Sequence, residues 1–110
     1  MIMPERIKTF PVIHGHKLRE IFQDTPEDLF ILDLRSPDRY IEGHIPGAHS
    51  FPFSQLEQKV HSIPKNKIVV VYCQNGLKSS LAVDLLKKKG IPHVFSLGSL
   101  KHWDYELIPS

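Results

Sequence analysis

The stretch Val69-Val70-Val71-Tyr72-Cys73-Gln74-Asn75-Gly76-Leu77-Lys78-Ser79-Ser80 runs a β-branched apolar segment into the chain's only cysteine and then directly into a helical pattern. Three valines and a tyrosine favour a strand covered on both faces. A parallel strand of this kind delivers its last residue to the carboxyl edge of a sheet, where open α/β folds gather their ligands. Cys73 is expected at that edge, and the turn into the following helix points backbone N–H groups and the positive helix end at its sulfur. Such surroundings favour a thiolate and attract an anion. Lys78 adds a full positive charge at the same end. A lone strand-end cysteine is usually a small buried hydrophobe. Here Gly76, Lys78 and the paired hydroxyls of Ser79 and Ser80, placed after an abrupt strand-to-helix switch, suit an anion cradle better than they suit packing.

Working outward towards the C-terminus, Leu81, Ala82, Leu85 and Leu86 give the helix an apolar face. Lys87-Lys88-Lys89, Gly90 and Pro92 then close it: cations at the negative helix end, glycine after the cap, and a proline that cannot continue the helix. The lysine run reads as a solvated helix end before it reads as a binding patch. His93-Val94-Phe95-Ser96-Leu97 predicts a last strand, and beyond Gly98 both Leu100 and Trp103 are expected to pack on the sheet.

Working outward in the other direction, residues 67–72 form the strand that leads into Cys73. Before it, Ser54-Gln55-Leu56-Glu57 reads as a capping box, with Leu56, Val60 and Ile63 on one helical face up to Pro64. Pro46-Gly47 fits the centre of a type II turn, with glycine accepting a positive φ. His44 reads as a hydrogen-bonded structural histidine in preference to a general base, since nothing in sequence pairs it with the cysteine. Ser36-Pro37 resembles an N-cap followed by proline, so residues 38–42 predict a short helix ended by Gly43. Leu29-Phe30-Ile31-Leu32-Asp33-Leu34 is a nearly continuous apolar run, the pattern of a central parallel strand. Asp33 and Arg35 close it with opposite charges; an ion pair bracing the reactive loop is favoured over direct chemistry, because buried charges survive when paired. Leu18, Ile21 and Phe22 mark an amphipathic helix over residues 16–23, and the proline in residues 10–13 suits a first edge strand.

At 110 residues the chain is sized for one domain with one core. Its 41% hydrophobic and 24% charged residues are ordinary globular usage, and a net charge of +2 gives no sign of a nucleic-acid or membrane partner. One cysteine excludes an internal disulfide, a Cys-x-x-Cys redox pair and a cysteine-rich zinc site. The histidine pairs His14/His16 and His44/His49 lack a third ligand at recognisable spacing, so no metal is expected. The first six residues lack the apolar core of a signal peptide and no run reaches transmembrane length, which makes a reducing cytoplasm the default location.

Leu32-Asp33-Leu34-Arg35, Gly43-His44-Ile45-Pro46-Gly47-Ala48 and Cys73-Gln74-Asn75-Gly76-Leu77-Lys78-Ser79, in this order and at these separations, resemble rhodanese-like domains. The resemblance spans nearly the whole chain, continuing through Gly98 and Trp103. It implies a single rhodanese-like domain over residues 1–110: a three-layer α/β fold with a central, mainly parallel five-stranded sheet flanked by helices. It further implies a sulfurtransferase that carries a sulfane sulfur as a Cys73 persulfide, cradled by Gln74, Asn75, Gly76, Leu77, Lys78 and Ser79. Asp33 and Arg35 would support the site. No metal or organic cofactor is implied. The donor would be a small sulfur anion such as thiosulfate, and the acceptor cyanide, a small thiol or a protein thiol. The family's loops often carry arginine where this chain has Lys78, which puts thiosulfate preference in question. A phosphatase or arsenate reductase on the same fold would need an arginine where this chain has Ser79. A non-catalytic binding module would not require Cys73.

Overall fold

The computed structural model of the chain describes residues 11–109. In chain order its elements are helix α1 (Gly15–Asp24), strand β1 (Leu29–Asp33), helix α2 (Pro37–Glu42), strand β2 (His49–Ser50), strand β3 (Ile68–Cys73), helix α3 (Leu77–Lys88) and strand β4 (Val94–Ser99). The strands form one parallel sheet in the order β2-β1-β3-β4, so the two strongest apolar runs of the sequence lie side by side at its centre.

Side chains alternate across a strand, and on β3 this alternation builds two cores. Val69, Val71 and Cys73 face one way, onto Ala82, Val83 and Leu86 of α3 and onto Leu56 and Ile63. Val70 and Tyr72 face the other way, onto Leu18 of α1, Ile45, Leu97 and Trp103. The nucleophile candidate and its neighbouring tyrosine therefore belong to opposite layers of a three-layer fold.

Among the described residues the expected five-stranded sheet has four strands. Only part of residues 10–13 is described, since Phe10 lies outside the described residues, as does the first stretch of six. Val12 makes a single parallel bridge to Ser96, with the amide of Ser96 donating to the Pro11 carbonyl at 2.8 Å and that of Ile13 donating to the Ser96 carbonyl at 3.0 Å. Pro11 has no amide to extend the ladder, and α1 begins at Gly15. The β2 strand went unpredicted because its two residues are exposed and carry no apolar alternation.

The helix expected after Ser54 is replaced by two 3-10 turns, Phe53–Gln55 and Val60–Ser62, without a side-chain cap. Their three-residue repeat brings Phe53 and Leu56, then Val60 and Ile63, onto the same core, which satisfies the apolar spacing without a helix. On α3 the buried face is Ser79, Ala82, Val83 and Leu86, while Leu81 is 51% exposed and Leu85 only partly buried. The phase of this helix follows from where the loop starts it, at Gly76, and from the contact between Ser79 and Ser96. Its end matches expectation: Gly90 has φ +95°, and the Ile91 amide reaches back to the Leu86 carbonyl at 3.0 Å. No helix of the described residues is long and apolar enough to cross a membrane.

Candidate active site

β3 ends at Cys73 and α3 begins four residues later, so the chain must reverse within a very short turn. Gly76 makes this possible. It sits at φ +93° as the N-cap of α3, a conformation that strains any side-chain-bearing residue. In that pose its amide donates to Cys73 Sγ at 3.1 Å. The Leu77 amide donates to Asn75 Oδ1 at 3.1 Å, an Asx turn that closes the loop locally.

The outer side of the loop is fastened by serines. Ser79 Oγ donates to the Gly76 carbonyl at 2.9 Å and receives a bond from Ser96 Oγ at 3.0 Å. Ser99 Oγ donates to the Gln74 carbonyl at 2.7 Å. Ser99 reaches that carbonyl because pairing between β3 and β4 slips: Val71 faces Ser96, but Tyr72 faces Gly98, which takes φ +88°. The extra residue re-aims the end of β4 towards the loop, a use to which bulges near sites are often put.

Behind the loop lies a second, buried assembly. The Arg35 guanidinium donates to Asp33 through Nη2 at 2.7 Å and Nε at 3.0 Å, and Nη2 also reaches the Gly43 carbonyl at 2.6 Å. Their side chains are 7% and 0% exposed. Tyr72 donates its hydroxyl to Asp33 Oδ2 at 2.6 Å and accepts from the Ile45 amide at 3.2 Å. Burial works against the Arg35 charge, but the hydrogen bonds and attraction of Asp33 outweigh it and hold the guanidinium above its ordinary value. Burial, reinforced by the adjacent Asp33 carboxylate, pushes the Tyr72 hydroxyl well above the usual tyrosine range. The pair expected from Asp33 and Arg35 is present; the tyrosine that completes it was not foreseen.

Between loop and brace opens a cavity of about 190 Å³. One wall is Leu34, Arg35, Ser36 and Arg39; the other is Cys73, Gln74, Asn75 and Lys78. Three cations and no carboxylate line it. Cys73 lines this space and is 2% exposed. A larger cavity of about 380 Å³ opens at the start of α1 among His14, His16, Lys101 and His102, but Cys73 does not line it.

Of the six predicted cradle residues, Gln74, Asn75 and Lys78 line the cavity and Gly76 supplies a hydrogen bond to the sulfur. Leu77 turns its side chain outward, 66% exposed. Ser79 is fully buried behind the loop, where its hydroxyl fastens the backbone. His44 is buried, stacked on Tyr40 at 3.8 Å between ring centroids, with Nδ1 2.9 Å from the Tyr40 carbonyl, a structural role as expected. The reading missed Arg39. Its signal is its place one turn after Ser36-Pro37, on a short helix that starts beside Arg35 at the same sheet edge; nothing in linear sequence ties it to Cys73.

The family model described as rhodanese-like domain matches residues 15–106. A sulfurtransferase of Allochromatium vinosum is 32% identical over 98 residues, 88% of this chain and 91% of that protein. The uncharacterized protein YqhL of Bacillus subtilis is 39% identical over 74 residues; the match covers 66% of this chain and 59% of that relative's length. Among solved structures, a rhodanese-related protein from Thermoplasma volcanium superposes with a TM-score of 0.80 at 26% identity, covering 92% of this chain and all of that one.

Proposed function

The chain belongs to the rhodanese-like domain family, and on that premise we propose that it is a sulfurtransferase in which Cys73 carries the transferred sulfur. One observation carries the reading. Cys73 Sγ, held by the Gly76 amide at 3.1 Å, lines a cavity whose walls carry the exposed Arg39 and Lys78, with no carboxylate among the lining residues. An anionic donor is drawn into such a space, and the sulfur that it meets is the chain's only thiol.

Thiosulfate fits this chemistry. The Cys73 thiolate attacks its outer sulfur, the sulfur–sulfur bond breaks, and sulfite leaves with the electron pair. Cys73 then carries a persulfide. A thiophilic acceptor such as cyanide or a thiol takes the outer sulfur and releases the Cys73 thiolate. Both displacements pass negative charge across the same few ångströms, so fixed positive groups and an amide donor serve both. Arg39 and Lys78 are exposed and face the donor's oxygens, while Arg35 and Asp33 hold the wall behind them. A reducing compartment, which keeps Cys73 free, belongs to the same reading.

The phosphatase alternative lacks its essential group. Where an arginine would clamp a tetrahedral oxyanion this chain has Ser79, buried and bonded to the Gly76 carbonyl. Turnover of thiosulfate and cyanide to sulfite and thiocyanate tests the proposal. The wild-type protein is expected to turn over, and Cys73→Ser to fall to background with an unchanged circular dichroism spectrum, since the exchange removes a polarisable nucleophile with little change of volume. Activity retained in Cys73→Ser would refute it.

A further inference from the structure

The surface around the cavity mouth is apolar where the helix leaves it. Leu77 is 66% exposed at the first position of α3, and Leu81, one turn on, is 51% exposed. Residues four apart share a helix face, and helical side chains lean towards the N-terminus, so Leu81 covers the turn on which Leu77 stands. The opposite face of α3 is fully used by the core through Ala82, Val83 and Leu86. Among the described residues neither leucine belongs to a core cluster, and the two stand beside Lys78 and Asn75 of the cavity wall.

The chemistry of the second displacement says what belongs there. The chain has one cysteine, so the persulfide cannot be resolved from within. Cys73 is 2% exposed and lines a cavity of about 190 Å³, so an acceptor thiol has to enter that cavity to meet it. The rim charges are Lys78 and the exposed Arg39, whose guanidinium also stands 3.9 Å from the exposed Glu42 carboxylate. Resting on the sulfurtransferase reading, we infer that Leu77 and Leu81 dock a protein acceptor whose cysteine sits on a projecting segment flanked by apolar and acidic side chains. The leucines take up the apolar residues, the two cations the carboxylates, and the segment carries its thiolate down to Cys73. That thiolate attacks the outer sulfur of the Cys73 persulfide, the sulfur–sulfur bond breaks, the transferred sulfur leaves with its proton, and Cys73 departs as thiolate. No oxidant or reductant is consumed.

The test uses the full chain loaded with sulfur from thiosulfate, and single-cysteine peptides of equal length as acceptors. One peptide flanks cysteine with leucine and glutamate, a second with serine and glutamate, a third with leucine and lysine; cyanide is the small control. The leucine–glutamate peptide is expected to exceed the serine–glutamate one by about fivefold in kcat/KM, the size expected from burying the exposed half of a leucine side chain, and the leucine–lysine one by about fivefold, the size of roughly one exposed charge–charge contact. Leu81→Ser should lose about that factor with this peptide and stay within twofold on cyanide, while Leu81→Met should keep both activities. Equal rates for the three peptides, or a Leu81→Ser loss shared by cyanide, would overturn the inference. So would a dimer in sedimentation that Leu81→Ser dissolves without any peptide preference, since a second copy would then cover the leucines. Failure to load sulfur at all would refute the sulfurtransferase reading, and this inference with it; loading without peptide preference would refute the inference alone.

Discussion

Arg35 and Lys78 line the same cavity, yet their circumstances are opposite. Arg35 is locked: its side chain is 7% exposed, and its Nε and Nη2 donors are committed to Asp33 and the Gly43 carbonyl. Lys78 is exposed and makes no ion pair among the described residues. A buried guanidinium must be paired to exist at all, and once paired its charge is largely neutralised for any visitor. An exposed ammonium costs the fold little and keeps its charge for a ligand. On the proposed function, one cavity thus separates a charge that holds a wall from a charge left free for an anionic donor, and the two should fail differently when mutated.

The largest expected effect lies on the buried side. Asp33→Asn leaves the Arg35 charge without its counterion in a site sealed by Tyr72, and removing one partner of such a pair costs about 3–5 kcal/mol. Urea denaturation should register this loss of stability. A loss below about 1 kcal/mol would mean that water reaches Arg35 and that the contrast with Lys78 is false.

Next in size is Tyr72→Phe, which strips the Asp33 carboxylate of one donor and the Ile45 amide of its acceptor. About 1–3 kcal/mol is expected. The same residue gives a pH signature. An unfolded tyrosine ionises near pH 10, whereas Tyr72 in the fold has its hydroxyl pushed well above that by burial and by Asp33. The stability from this shift is complete below the unfolded value and is lost as pH rises through it towards the folded value. Between pH 10 and 11, the wild type should therefore lose more stability than Tyr72→Phe, because phenylalanine has no proton to hold. Parallel slopes in denaturation series across that window would contradict the burial of this hydroxyl.

The smallest change in stability belongs to Lys78. Lys78→Ala should stay within about 0.5 kcal/mol of wild type in denaturation. Its KM for thiosulfate should rise about fivefold, the loss of roughly one exposed charge–charge contact. Lys78→Arg keeps the charge and adds a two-pronged donor for a sulfonate group, so it should lower that KM more than it alters kcat. An unchanged KM in Lys78→Ala would assign anion binding to Arg39 and the Gly76 amide instead.

The sheet centre was legible in the sequence because the runs at β1 and β3 are long, apolar and flanked by clear turn chemistry. The Cys73 loop was legible because a strand, a lone cysteine, a glycine and a helix start are contiguous. What escaped notice was assembled across distance. Tyr72 joins the Asp33–Arg35 pair because the parallel register places it opposite Asp33, and no spacing rule in one dimension supplies that register. Arg39 enters the cavity from a different element. Ser79, expected in the cradle, was turned inward by the same α3 phase that left Leu81 outside. Local periodicity identified a helix there but counted leucines to choose its buried face, whereas the loop at Gly76 sets the rotation. In residues 53–63 the apolar spacing suited a helix and 3-10 turns equally well, and tertiary packing decided between them.

The central claim is that sulfur resides on Cys73, and intact-mass spectrometry of protein treated with thiosulfate and freed of excess donor tests it most directly. The account predicts a single increment of about 32 Da, one sulfur atom, that is discharged by cyanide and absent from Cys73→Ser. No increment on the wild type, or the same increment on Cys73→Ser, would contradict it.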